Sequence, residues 1–442
     1  MIFGRRKGRK TDSDSDDSDD DEKIEYVLFQ GALNGKEANL KENARLARAG
    51  LIPSKHLLTD SLERRAETIR IDPKEGGAII SLFIDGVRNP GGRMPKQRVL
   101  AISHILKLLA GLDIRQRQKP QSGGIRAEFQ GTPYELYVES TPVAGGMERI
   151  TIRVQNMNRL LETPDELGFP EEMRSKIREM TSQKNGSVLV CGPKHSGTST
   201  TLMGVMRCVD AYMYSIYSIA DLGKRDLIHV KQFEANPGDS LKETITRVIR
   251  EETDVLFLDP IRDSETAKTV FQMQKRISML SEFTARDTVD GLLQVINWVD
   301  DAKVVAEGLR GIVSQKLVRL LCTDCKEAFR PHRKLIEKVG LPASTQVLFR
   351  PPRIPPEEEI AEEDIEPCGT CGGIGYLGRT GMYEFLEISD AIREQITSDP
   401  TVDSIKAIIR NEGMQTLQKD GLRLVAEGKT SLEELQRVFR SA

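Results

Sequence analysis

The stretch SVLVCGPKHSGTSTT, residues 187–201, decides the fold around it. An apolar run, Val188 to Cys191, leads directly into Gly192, four further residues and Gly197, and then into a helical pattern, TSTTLMGVMRCVDAYM. Strand, glycine loop and helix in that order form the layout of a phosphate-binding loop, where backbone N–H groups and a helix N-terminus cradle anionic oxygens. Such a loop continues with Lys and then Ser or Thr. Here Thr198 stands at the Lys position and Ser199 keeps the hydroxyl that reaches Mg²⁺. The candidate loop is Gly192, Pro193, Lys194, His195, Ser196, Gly197, Thr198, Ser199 and Thr200, and Lys194 is the cation that a rearranged loop would bring in. The competing reading is a tight strand-to-helix turn that binds nothing.

Working outward, YSIYSIAD and DVLFLD read as further strands, with ETITRVIREE helical before the second and residues 169–185 helical before the loop. Apolar strands alternating with helices predict a parallel sheet covered on both faces. Asp259 closes DVLFLD at the strand end, where phosphate-loop proteins keep a Mg²⁺-coordinating Asp. An Asp-Pro turn that merely ends the strand is the plainer alternative. Upstream the period changes. TIRI and AIISLFI form a hairpin turning near Pro73–Gly77, RVLAISHILKLLAGL has helical spacing, and YELYVES and RITIRV are strands, together a small α+β domain over 61–160. Residues 29–60 carry short helical patterns. Residues 1–28 join a basic start to the run TDSDSDDSDDDE, and a segment so poor in apolar residues reads as a disordered tail.

The chain has 442 residues and a net charge of −3, which provides no global field for nucleic acid. No apolar run is long enough to span a bilayer, and the basic start has no apolar segment behind it, so neither direct membrane insertion nor secretion is expected. Of six cysteines, Cys322, Cys325, Cys368 and Cys371 form two C-x-x-C pairs separated by 42 residues. Paired knuckles in a cytoplasmic chain predict four thiolates around one structural Zn²⁺ rather than disulfides. Cys191 and Cys208 fall in a strand and a helix and read as core.

Taken jointly, GPKHSGTSTTL, LFLDPIRDSETA (256–267), GIVSQKLVRLLCTDCKEAF (311–329), CGTCGGIGYLGRTGMYEFLEI (368–388) and LAGLDIRQRQKPQSGG (109–124) resemble the GspE/PulE/PilB-type ATPases of type II secretion and type IV pilus assembly. The resemblance covers about residues 61–442. It implies an α/β architecture: a small α+β domain, a RecA-like P-loop domain at 161–321, a tetracysteine zinc arm at 322–375 and a C-terminal region at 376–442; the residues there read as helical, ending in a helix that Thr430 or Ser431 can cap. It also implies a hexameric ring, made with like subunits or an active paralogue, at the cytosolic face of a secretion or pilus platform. ATP and Mg²⁺ would then be the ligands, and the protein would be cytoplasmic, peripheral to the inner membrane through partners.

The chain departs from that family where the chemistry lies. The family's Gly-Glu after four apolar residues is Asp259-Pro260, so the carboxylate that polarises water is replaced by an imino acid. Its Glu-Asp-Pro is Ala220, Asp221 and Leu222, its Leu-His-Thr-Asn is Phe283 to Arg286, and its phosphate-facing Arg before Val-Ser is Tyr137. Arg153 is the matching arginine that remains, and Arg262 and Asp263 read as a structural pair. Asp259, Asp221 and Arg153 are thus the candidate catalytic remnants, and Ser199 with Asp259 the candidate Mg²⁺ ligands. The pattern predicts an impaired ring subunit. The alternatives are a slow ATPase in which Lys194 and Asp259 substitute for the lost groups, and a binding module that uses the zinc arm.

Overall fold

The computed structural model describes residues 25–159, 163–183, 185–194, 196–220, 227, 229–353 and 366–440. His195, Asp221, residues 1–24 of the expected tail and most of the Pro-rich acidic loop therefore lie outside the described residues. The chain divides into two compact units, Met1–Leu160 and Leu161–Ala442.

Among its described residues the first unit is one antiparallel sheet of seven strands with two helices. In chain order these are β1 (Leu28–Ala32), α1 (Ala44–Glu63), β2 (Thr68–Lys74), β3 (Gly77–Ile84), β4 (Val87–Pro95), α2 (Lys96–Leu109), β5 (Gln121–Phe129), β6 (Thr132–Val143) and β7 (Met147–Asn156). The sheet order is β1-β5-β6-β7-β2-β3-β4. Ile69, Ile71, Leu82, Ile125 and Leu136 alternate with more exposed neighbours along their strands, and they are fully buried together with Ile102, Ile105 and Leu106 of α2. Each such side chain contributes about 1.5–3 kcal/mol by leaving water. Residues 28–63 supply an edge strand and a long helix to this unit. Val27, within the stretch expected as tail, is fully buried and donates its N–H to Thr59 Oγ1 at 3.1 Å.

The second unit begins with α3 (Glu171–Thr181), β8 (Gly186–Gly192), α4 (Thr198–Arg207), β9 (Ile216–Ser218), β10 (Val230–Gln232), α5 (Leu241–Ile249) and β11 (Val255–Phe257). It continues through α6 (Ser264–Met273), β12 (Ser278–Thr284), α7 (Thr288–Val299), α8 (Ala302–Gly308) and β13 (Leu309–Leu321). The sheet order is β10-β9-β11-β12-β8-β13-β16, where β16 is Tyr376–Glu387. All neighbours are parallel except β16, which runs antiparallel to β13. Alternate residues of β8 serve opposite cores. Leu189 and Cys191 pack with Met279, Phe283, Val270 and Leu292 on one face. Val188 and Val190 pack with Leu280, Ile177, Leu202 and Val205 on the other. The sheet is thus covered on both faces, as the sequence predicts.

Between the two cysteine knuckles, β14 (Glu327–Phe329) pairs antiparallel with β15 (Leu348–Arg350), and α9 (Arg333–Val339) lies between them in sequence. Four short helices close the described chain: α10 (Asp390–Ser398), α11 (Val402–Asn411), α12 (Leu417–Ala426) and α13 (Leu432–Arg440). Ser431 is the residue that caps α13, accepting the Glu434 N–H at 3.1 Å.

Candidate functional site

The glycine loop leaves β8 at its C-terminal end, beside β12 and β13, where parallel strands deliver their loops to one edge of the sheet. Two glycines are required there. Gly197 sits at φ +88° as the N-cap of α4. A Cβ on Gly192 would fall 2.5 Å from Ser196 Oγ and 2.9 Å from the Gln315 carbonyl. Gln315 on β13 braces the loop, its Nε2 donating to the Ser196 carbonyl. Among the described residues no side chain caps the N-terminus of α4, and no acidic residue occupies its first turn. Its first N–H groups therefore remain open to an anion.

A cleft of about 530 Å³ opens beside this loop, lined by Lys194, Thr198, Pro260, Arg262, Glu282 and Trp298 among others. Thr198 is its wall at the expected ammonium position. Lys194 lines the cleft as an exposed side chain. Pro260 lines it too, while Asp259 is exposed at the end of β11 and is absent from the lining. The structure holds Asp259 through its backbone, whose carbonyl accepts from Ser281 Oγ at 2.8 Å. The expected Arg262–Asp263 pair gives way to a helix cap. Asp263 accepts the Thr266 N–H at 2.8 Å, and that bond holds its carboxyl below the usual range.

Sequence reasoning passed over Glu282. It projects from the middle of the sheet onto the face that carries α4, and its Oε1 accepts from Ser199 Oγ at 2.5 Å. The signal was available: a glutamate inside ISMLSEF (277–283), a run that otherwise reads as a strand buried on both faces.

In the first unit, Arg153 on β7 lies opposite Tyr137 on β6 and pairs with Glu139. Tyr137 donates to Glu135 Oε2 at 2.6 Å. The arginine that survives the family pattern is thus engaged by a neighbouring carboxylate.

The four knuckle cysteines converge. Their Sγ atoms all lie within 4.8 Å of one another, with Cys322–Cys368 at 4.0 Å and Cys325–Cys371 at 3.6 Å. Four sulfurs about 2.3 Å from one zinc stand roughly 3.8 Å apart, so the set fits a closed tetrahedral site. The knuckles are tied to each other by Thr370 Oγ1 donating to Asp324 Oδ2 at 2.5 Å. The Gly375 N–H points at Cys371 Sγ at 3.3 Å, the backbone donation a thiolate needs. Cys191 and Cys208 are core residues: burial pushes both thiols up, that of Cys208 to about 12, so they are inert at neutral pH.

Fold and loop define the class: a RecA-like α/β unit of the P-loop type joined to a small α+β unit. The sequence model described as "Type II/IV secretion system protein" matches residues 46–437, and the chain belongs to that family. It is 27% identical over 390 residues to the "Type IV pilus assembly ATPase PilB" of Thermus thermophilus, covering 86% of this chain and 42% of that protein. It is 28% identical over 392 residues to the "Type II secretion system protein HxcR" of Pseudomonas aeruginosa, covering 87% of this chain and 76% of that protein. The chain thus spans less than half the length of the first relative. Among solved structures it superposes on the "Pilus Retraction Motor PilT" with bound ADP at a TM-score of 0.51 and 19% identity, covering 86% of this chain and 95% of that one. The Legionella pneumophila ATPase DotB superposes at 0.53 with 14% identity, covering 87% and 95%. At such identities the likeness establishes the fold alone. Among the described residues no helix is long and apolar enough to cross a membrane.

Proposed function

We propose that this chain is a ring subunit of a secretion or pilus-assembly machine that keeps the nucleotide-binding shape and has lost most of the hydrolytic chemistry. The observation that carries this is the cleft wall: Thr198 and Pro260 line it where the family places a lysine and a water-polarising glutamate. A hydrogen bond to a charged group is worth about 1.5–3 kcal/mol, so losing the lysine weakens nucleotide binding by roughly 10- to 150-fold. Losing a general base costs roughly 10²- to 10⁴-fold in rate. The open N-terminus of α4 and the braced loop favour residual binding. The role is then structural or regulatory, in a hexamer with like subunits or an active paralogue at the cytosolic face of a platform. Zinc holds the arm in place.

Calorimetric titration with Mg-ATP, run beside a hydrolysis assay, tests this. Weak saturable binding or none is expected, with turnover no higher than in Ser199→Ala. One observation favours a second reading, a slow motor: Lys194 lines the cleft. In that case turnover exceeds the Ser199→Ala level and falls in Lys194→Ala.

A further inference from the structure

Glu282 is 7% exposed, and its Oε2 has no hydrogen-bond partner. Its other oxygen receives a single hydroxyl proton, from Ser199. Among the described residues no lysine or arginine pairs with it. An ionised carboxylate so placed lacks the compensation that buried charges normally have. It nonetheless lines an open cleft together with Thr198, and it is bonded to the loop hydroxyl of Ser199. The local charge points the same way. The family's ammonium is a neutral Thr198, and the carboxylate missing at Pro260 is matched by one arriving from the next strand, β12. The phosphate end of the cleft has exchanged a positive group for a negative one.

We infer that Glu282 and Ser199 form a divalent-cation site, suited to Mg²⁺ or Mn²⁺, that fills before any phosphate and is required for phosphate to bind. Such ions take oxygen ligands, commonly one or two carboxylates with water and phosphate oxygens completing the shell. Adjacent corners of a magnesium octahedron are about 2.9 Å apart, so Ser199 Oγ and Glu282 Oε1 need to separate by only a few tenths of an ångström. Without the ion, a polyphosphate meets the unpaired Glu282 carboxylate in a cleft that Lys194 and Arg262 also line. With it, the carboxylate is neutralised and the ion adds to the charge of Lys194 and Arg262. The phosphate half of this inference rests on the nucleotide-type reading proposed above. The cation half does not.

The test uses the full chain with its zinc in place, stripped of other ions and free of nucleotide. Mn²⁺ is titrated in and the free ion is read by electron paramagnetic resonance. Mn²⁺ prefers oxygen to thiolate ligands, which keeps it off the knuckle cysteines. One saturable Mn²⁺ is expected that Mg²⁺ displaces and that E282Q weakens by about 100-fold or more, since even outer-shell changes cost 10- to 100-fold. Ions held by the acidic run at 11–22 survive E282Q, so the difference between the two proteins is the measurement. Equal Mn²⁺ retention by wild type and E282Q overturns the site. A second readout guards against a misfolded variant: without metal E282Q melts at or above the wild-type temperature, because an unpaired charge is gone, and only wild type is stabilised by Mn²⁺. ATP binding as tight in chelator as in Mg²⁺ overturns the metal-first order. Hydrolysis of ATP would overturn the pseudo-enzyme reading and leave the Mn²⁺ result standing.

Discussion

Arg319 grips Glu434 from near the C-terminal end of β13. Its Nε and Nη2 donate to Oε2 at 2.9 and 2.8 Å, and its backbone N–H donates to Oε1 at 3.1 Å. Arg437, one turn along α13, adds Nε to Oε2 at 2.8 Å and Nη2 to Oε1 at 2.6 Å. The last helix is therefore riveted to the strand that leads to the first cysteine knuckle. Removing one partner of a buried pair strands the other's charge, at a cost of about 3–5 kcal/mol. Glu434→Ala is expected to lower stability by that order in urea denaturation, and Glu434→Gln by less.

The same carboxylate sets a pH dependence. Burial raises its pKa, but hydrogen bonds from Arg437 and Arg319 outweigh that and hold it at about 2, against an ordinary 4.5. A depressed carboxylate contributes stability above its unfolded pKa, and that contribution drains away as pH falls toward the folded value. The stability gap between wild type and Glu434→Gln should therefore be full at pH 6 and shrink steadily from about pH 4.5 downward. A gap independent of pH across that range would contradict the assignment.

The knuckle cysteines make a metal-content prediction. Purified protein should carry one zinc per chain by elemental analysis, and Cys371→Ser should carry close to none. Stripping zinc with a chelator should lower the melting temperature, because metal binding by four thiolates is itself folding free energy.

Lys107 is fully buried, its Nζ 2.6 Å from Glu148 Oε1 and 2.7 Å from the Gln116 carbonyl. Ser140 Oγ completes the cluster with a 2.6 Å bond to the same carboxylate oxygen. Lys107→Ala should destabilise the first unit by about 3–5 kcal/mol. Lys107→Met with Glu148→Leu should cost clearly less, because no unpaired charge remains. A denaturant series on the three proteins separates these outcomes.

Thr198→Lys returns the ammonium to the loop. ATP affinity should rise by roughly 10- to 150-fold, the worth of one charged hydrogen bond. Turnover should stay low until Pro260→Glu is added, since the two groups serve binding and chemistry separately. Calorimetry and a phosphate-release assay read the two effects independently.

Much of this molecule was legible in its sequence because its chemistry is local. The strand–loop–helix at 187–207, the hairpin through Lys74 and Gly77, and the paired cysteines each announce themselves within a few residues. β4 did not. Its sequence, VRNPGGRMP, has Pro90, Gly91 and Gly92 in the strand, which only an edge position tolerates, and β4 is the edge next to β3. β5 hid for a related reason: Gly123 and Gly124 present no alternation to read, and they are small because Leu112 and Leu33 crowd them. Glu282 was missed because its meaning is non-local: only the parallel pairing of β12 with β8 brings it to Ser199, 83 residues away in sequence. Asp263, read with Arg262 as a structural residue, spends its carboxylate on the N-terminus of α6.

β13 carries Gln315, which braces the glycine loop, and runs on to Leu321, next to Cys322, bonded along its course to β8 on one side and β16 on the other. The loop and the metal knuckle are therefore read off a single ruler. An insertion between Lys316 and Leu321 would shift the knuckle and the β16 register and leave Gln315 on the loop. The chain from Lys326 to Pro367 leaves and re-enters at the two cysteine pairs, and Ile336, Leu341 and Leu348 within it pack with Val318 of β13. Natural variation in such chains should concentrate at the exposed positions of that excursion and spare these packed residues and the strand.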